Sequence, residues 1–149
     1  MLQDKKGFTI IELLIVIAII GLLATISIVA LNGARQKGRD AKRVGDIRQL
    51  QTALELYFND KNAYPVATTA ITLGDATHKV LCDTAAGFQD TTTGCGKIYM
   101  GIVPANPLPN GSNYSYTGTA TTFNIGFSLE DSTGSYTSGA HTATQDGIN

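Results

Sequence analysis

Phe8–Leu31 reads FTIIELLIVIAIIGLLATISIVAL, 24 residues with one ionisable side chain, Glu12. At about 1.5 Å of rise per residue it spans roughly 36 Å as an α-helix, enough to cross a hydrocarbon core of about 30 Å with some tilt. Two other readings compete: a buried helix of a soluble protein, and the apolar region of a secretory signal. A signal's apolar region runs about 7–15 residues and ends at a small-x-small site. This stretch is longer, and Ala24-Thr25-Ile26 lacks that exit. It reads as a membrane-inserted helix, preceded by the short polar segment Met1–Gly7.

The rest of the 149 residues is soluble in character and divides by charge. Asn32–Lys61 carries seven basic and four acidic residues. Asn62–Asn149 carries Lys79 and Lys97 against six carboxylates. A basic stalk is therefore followed by an acidic head. The overall charge of -1 is far from that of a freely diffusing nucleic-acid binder. Hydrophobic residues at 43% with charged residues at only 15% exclude a disordered chain.

Topology signals conflict. The cluster Arg35, Lys37, Arg39, Lys42 and Arg43 follows the apolar run, and the positive-inside rule would place that side in the cytoplasm. Cys82 and Cys95, the only cysteines, argue for a head in an oxidising compartment. A disulfide between them would pin a polar loop of twelve residues, contributing about 2–4 kcal/mol. Glu12 is the second anomaly. A carboxylate at that depth is costly without a partner, and Phe8–Leu31 holds no Lys, Arg or His. Its partner is expected from the chain terminus, another molecule or interfacial water.

Lys6-Gly7-Phe8-Thr9-Ile10-Ile11-Glu12, with the Leu13–Gly21 run behind it, resembles the processing site of type IV pilins and type II secretion pseudopilins. The resemblance implies cleavage after Gly7 by a prepilin peptidase, N-methylation of the new terminal Phe8, and a role for Glu12 in assembly. Glu12 would neutralise the amine of a neighbouring copy inside a bundle of apolar helices. It also implies an inner-membrane assembly platform as a partner, membrane lipid before assembly, and copies of the same chain in a helical filament. The N-terminus would be cytoplasmic and the filament extracellular. Val29 stands where many type IV pilins have Pro, so Gly21, Gly33, Gly38 and Gly45 are left to supply flexibility.

Beyond Leu31, Val44, Ile47, Leu50, Leu54 and Tyr57 recur at helical spacing and mark a core-facing stripe. Arg39, Arg43 and Gln49 are expected on a solvated opposite face. The helix should end at Asn59–Asn62, before Pro65. From Val66 the pattern is β: His78–Cys82, Lys97–Val103, Tyr114–Thr117, and the alternating Phe123, Ile125, Phe127 and Leu129. The expected fold is α+β, a long N-terminal helix packed on a small antiparallel head of three or four strands. Its parts are a leader (1–7), a membrane and filament-core helix (8–31), an amphipathic helix (32–60) and a head (61–149). Ser132–Asn149 is expected as an exposed edge or mobile tail.

Functional alternatives are few. His78 and His141 sit in no nucleophile motif, and no phosphate-cradling glycine loop occurs, so an enzyme is not expected and neither is a cofactor. Two cysteines without a His pair give no zinc site. Major pseudopilins hold calcium in the head. Glu130-Asp131 with Ser132 and Thr133 supplies oxygen ligands here, but at a spacing that matches no established loop, so no metal is assigned. Asn110-Gly111-Ser112 and Asn113-Tyr114-Ser115 fit the glycosylation pattern, which recurs often by chance. DNA binding by the basic stalk is not expected, because Asn32–Glu55 holds no aromatic residue for base stacking. The primary expectation is a structural pilin of a type IV pilus-like filament. The alternatives are a major pseudopilin of type II secretion and an uncleaved membrane-anchored binding module.

Overall fold

The structure is a computed structural model and describes residues 7–149. The leader segment through Lys6 lies outside the described residues. The chain divides after Arg35 into two compact units. One helix, α1 (Ile10–Lys61), contributes to both, and eight strands follow it.

The N-terminal unit is helical from Ile10, and Gly7–Leu31 is exposed throughout. Its apolar side chains lie on all sides of the helix, the pattern of a segment whose solvent is not water. The two hydroxyls toward its end are satisfied internally: Thr25 Oγ1 donates to Leu22 O at 2.7 Å and Ser27 Oγ to Leu23 O at 2.8 Å. α1 runs through Gly21, Gly33, Gly38 and Gly45 without a break.

The second unit is α+β. Its strands are β1 (Ala67–Thr72), β2 (Val80–Cys82), β3 (Phe88–Gln89), β4 (Ile98–Met100), β5 (Ser115–Gly118), β6 (Phe123–Leu129), β7 (Gly139–Thr144) and β8 (Gly147–Ile148). They form a five-stranded antiparallel sheet ordered β1-β5-β6-β7-β8 and a three-stranded one ordered β3-β2-β4. The expected three or four strands undercount because β1 and β3 carry no apolar alternation. Of the two readings of Ser132–Asn149 the edge element holds, β8 being the outermost strand of its sheet, and the mobile tail is corrected. β7 pairs with β6 over Ile125↔Ala143 to Leu129↔Gly139, and Ala143 is fully buried. The other residues of β7 are exposed or half-buried, so backbone pairing holds the strand and gives no apolar signal.

The stripe on α1 is where the spacing placed it: Val44, Ile47, Leu50, Leu54 and Tyr57 are all buried in one core with Tyr114, Tyr116, Ile125 and Phe127. On β6 the alternation holds, with Phe123, Ile125, Phe127 and Leu129 turned inward. Two close approaches fix glycines. Tyr116 Oη donates to Pro65 O at 2.7 Å over Gly118, where a Cβ would collide with both groups. Gly74 sits at φ +71° with the Ala105 backbone 2.7 Å from where a Cβ would lie. Cys82 and Cys95 are disulfide-bonded, closing the loop that follows β2.

Candidate processing and assembly site

Gly7 and Phe8 precede the helix in irregular, exposed backbone, and Phe8 is 86% exposed. Thr9 is the residue immediately before α1 and caps it. Its hydroxyl accepts from Glu12 N at 3.3 Å, while Glu12 Oε2 accepts from Thr9 N at 2.9 Å and from Thr9 Oγ1 at 2.8 Å. This reciprocal pairing is a capping box, in which two unpaired backbone donors of the first turn are satisfied together. The expected origin of Glu12's partner is corrected. The donors come from its own chain, three residues upstream. Thr9-x-x-Glu12 is itself a capping signature, readable from the sequence. The box also leaves Glu12 Oε1 without a hydrogen bond among the described residues.

Within the second unit, Gln49 is exposed as expected, but the expectation of a solvated face at Arg39 and Arg43 is corrected. Arg43 is fully buried. Its guanidinium donates to Asp40 Oδ1 at 2.5 Å, Glu130 Oε1 at 2.7 Å, Asn106 Oδ1 at 2.7 Å and Pro107 O at 2.9 Å, and also to Asn110 O. Arg39 adds a two-pronged pair to Glu130 at 2.7 and 2.6 Å. Asp40 in turn accepts from the backbone N–H groups of Glu130 and Asp131. A planar fork of donors suits this array of carboxylates and carbonyls, and an ammonium could not span it. Hydrogen bonding from Arg39, with further donors from Asn110 and Arg43, holds the Glu130 carboxyl far below its ordinary range against the opposing effect of burial. Both Glu130 oxygens are thus engaged by cationic or amide donors. That is a poor setting for a calcium ligand. The Asp131 carboxylate accepts from Ser132 N at 2.7 Å.

Other polar residues are absorbed by local structure. Burial pushes the Asp75 carboxyl up, but donors from Thr77 and His78 outweigh it and hold it at about 2. His141 bridges the carbonyls of Thr137 and Asn149 at 2.7 and 2.9 Å. Burial and the nearby Asp46 carboxylate raise the Tyr114 phenol, which donates to that carboxylate at 3.1 Å.

Comparison with known proteins bears on the N-terminal segment. Residues 2–28 match the family model of the prokaryotic N-terminal methylation motif. The type II secretion system core protein G of Pectobacterium carotovorum is 41% identical over 61 residues, covering 41% of this chain and 39% of that protein. Its counterpart in Aeromonas hydrophila is 41% identical over 63 residues, 42% of this chain and 44% of that one. The type IV wide pilus major component PilA4 of Thermus thermophilus is also 41% identical over 63 residues, 42% of this chain and 48% of that one. The chain therefore spans less than half the length of these relatives. No solved structure matches it. Among the described residues α1 is the one helix long and apolar enough to cross a membrane. The chain carries a prepilin-type N-terminal methylation motif at the start of that helix and is similar to type II secretion pseudopilins and to a type IV pilin.

Proposed function

We propose that the chain is a structural subunit of a type IV pilus-like filament. In this reading a prepilin peptidase cuts between Gly7 and Phe8, the new Phe8 amine is methylated, and the chain waits in the membrane as a single-pass protein with its N-terminus cytoplasmic. The observation that carries the reading is the capped start of α1: an exposed Gly7–Phe8 bond, then Thr9 and Glu12 locked together at the head of a 52-residue helix. Glu12 Oε2 is taken by Thr9, and Oε1 is left for the amine of a neighbouring copy. Because the capping donor is the Thr9 amide, cleavage one residue upstream leaves the box intact. Transfer of the apolar half of α1 from lipid into a bundle of like helices exchanges one apolar surrounding for another, so extraction by an assembly platform needs no aqueous exposure of that surface.

Two neighbouring readings share the same anchor. A type II secretion pseudopilin is supported by the named relatives. The polar head, with its Glu130 carboxylate engaged by arginines and not free for calcium, favours the pilus. An uncleaved binding module has no use for a carboxylate held at that depth. Intact mass and N-terminal sequencing of protein from the native membrane and from sheared surface material test the proposal. A chain beginning at methylated Phe8 is the expected result. A chain beginning at Met1 in cells with active prepilin peptidase would overturn it.

A further inference from the structure

We propose that the exposed side of α1 around Lys37 and Arg48 docks a second copy of the chain, and that it receives the Asp90 carboxylate on the disulfide-pinned loop of that copy. The inference rests on the filament reading above and adds a contact between second units that the apolar helix does not supply.

The charges left over after folding point to it. Among the described residues Asp90 is the one carboxylate with no hydrogen-bond or ion partner, and it is exposed. Asp40, Asp46, Asp60, Asp83 and Glu130 all hold a cation, and Asp75 is enclosed by Thr77 and His78. Of the cations, Arg39, Lys42, Arg43, Lys61 and Lys97 are paired in the same bridges. Arg35, Lys37 and Arg48 on α1, and Lys79 outside it, make no such pair. Among the described residues folding thus leaves unpaired positive charge mainly along the helix, while Glu12, Glu55, Asp131 and Asp146 meet only neutral donors and Asp90, on its loop, meets none.

Geometry makes these a pair of matching patches. Lys37 and Arg48 are eleven residues apart, which brings them within about 20° of the same side and about 16 Å apart along the axis. Between them lie Gly38, Ala41 and Gly45, and a Cβ built on either glycine would meet nothing within 4 Å. A partner's backbone can approach there without displacing side chains. Asp90 directly follows β3, an edge strand of the three-stranded sheet. Its loop is held by the Cys82–Cys95 bond and by Gln89 Nε2, which donates to Thr91 O at 2.6 Å and Thr93 O at 3.3 Å. The carboxylate is therefore presented by an ordered loop, and little further ordering is lost on docking. A helix side and a sheet-edge loop are different patches of the same chain. A contact between unlike patches is head-to-tail and propagates into an open helical array, as a filament requires.

The test uses the full chain in a host that has prepilin peptidase and a filament assembly system, with sheared filament as the yield. Asp90→Lys alone, and Lys37→Asp with Arg48→Asp, should each lower the yield about tenfold, since like charges placed opposite each other are strongly disfavoured. Combining all three substitutions should restore it to within about threefold. Each variant must retain the wild-type N-terminus and the Cys82–Cys95 bond, which separates failed assembly from failed folding. In wild-type filaments a carbodiimide should activate Asp90 and let the Lys37 amine displace the urea. The product is an amide joining the two peptides across subunits, absent from dispersed membrane protein. Unchanged yield from the double variant, or no recovery in the triple variant, would overturn the proposal. So would normal filaments accompanied by lost binding to anionic vesicles, which would assign the face to lipid. A wild-type chain that is never processed, or is processed and forms no filament, would instead overturn the filament reading and this contact with it.

Discussion

The two parts of α1 are built on the same backbone and obey different rules. Phe8–Leu31 is apolar all round, exposed at every position, and satisfies its few polar groups within three or four residues. Gln36–Lys61 is apolar along one stripe and buries it in a core with two sheets. Its polar groups reach far along the chain, as Arg43 does to Glu130, 87 residues away. The contrast separates two sources of order. In the second part, helix position is specified by tertiary partners of the same chain. In the first, it is left to whatever surrounds the segment, lipid or neighbouring copies.

The comparison is broken most directly at Arg43. Replacing it by Ala leaves Asp40 buried without its cation and Glu130 with Arg39 alone, and breaking a buried pair from one side costs about 3–5 kcal/mol. Thermal unfolding of the detergent-solubilised chain, followed by circular dichroism of the β signal, should show that loss. A matched pair of truncations sharpens the contrast. Leu50→Ala opens a cavity in the core and should cost about 2–5 kcal/mol in the same melt. Ile17→Ala removes a side chain with no tertiary contact and should shift that melt by less than about 0.5 kcal/mol. An equal loss from both would contradict the division.

A smaller effect is expected at the helix start. Thr9→Val keeps the shape and removes the cap, at about 1 kcal/mol. Hydrogen exchange at the Glu12 amide should quicken about fivefold, with the β-sheet amides unchanged. The subtlest test is a slope. Glu130 titrates well below its ordinary 4.5 in the folded chain, so the unfolded chain binds its proton first as pH falls. Its contribution is complete above about 4.5 and drains away as pH drops below that value toward the lower folded one. Stability measured from pH 7 to pH 3 should therefore decline below about 4.5, and Glu130→Gln should flatten that decline.

What could be read from the chain follows the range of the physics involved. The apolar run, the stripe from Val44 to Tyr57 and the alternation on β6 are short-range patterns, and each lies where its spacing indicates. The Thr9-to-Glu12 box is equally local, a Thr-x-x-Glu pattern at a helix start. Arg43 was not legible. In a linear pattern it is one more basic residue on a polar face, and its acceptors come from Asn106, Pro107, Asn110 and Glu130, on loops whose approach depends on the whole fold. β7 was hidden for a different reason. Only Ala143 of the strand is buried, so its place in the sheet rests on backbone pairing with β6, which leaves no hydrophobic signal in the side chains.

The buried guanidinium has a consequence for descent. Asp40, Asn106 and Glu130 converge on Arg43, so losing the guanidinium removes a donor from all three at once. Such a set resists drift one position at a time and is exchanged only in combinations. Lineages carrying this head should therefore keep or lose the four together, while the loop tips around them vary freely, and the quartet can serve as a marker of shared ancestry for the head.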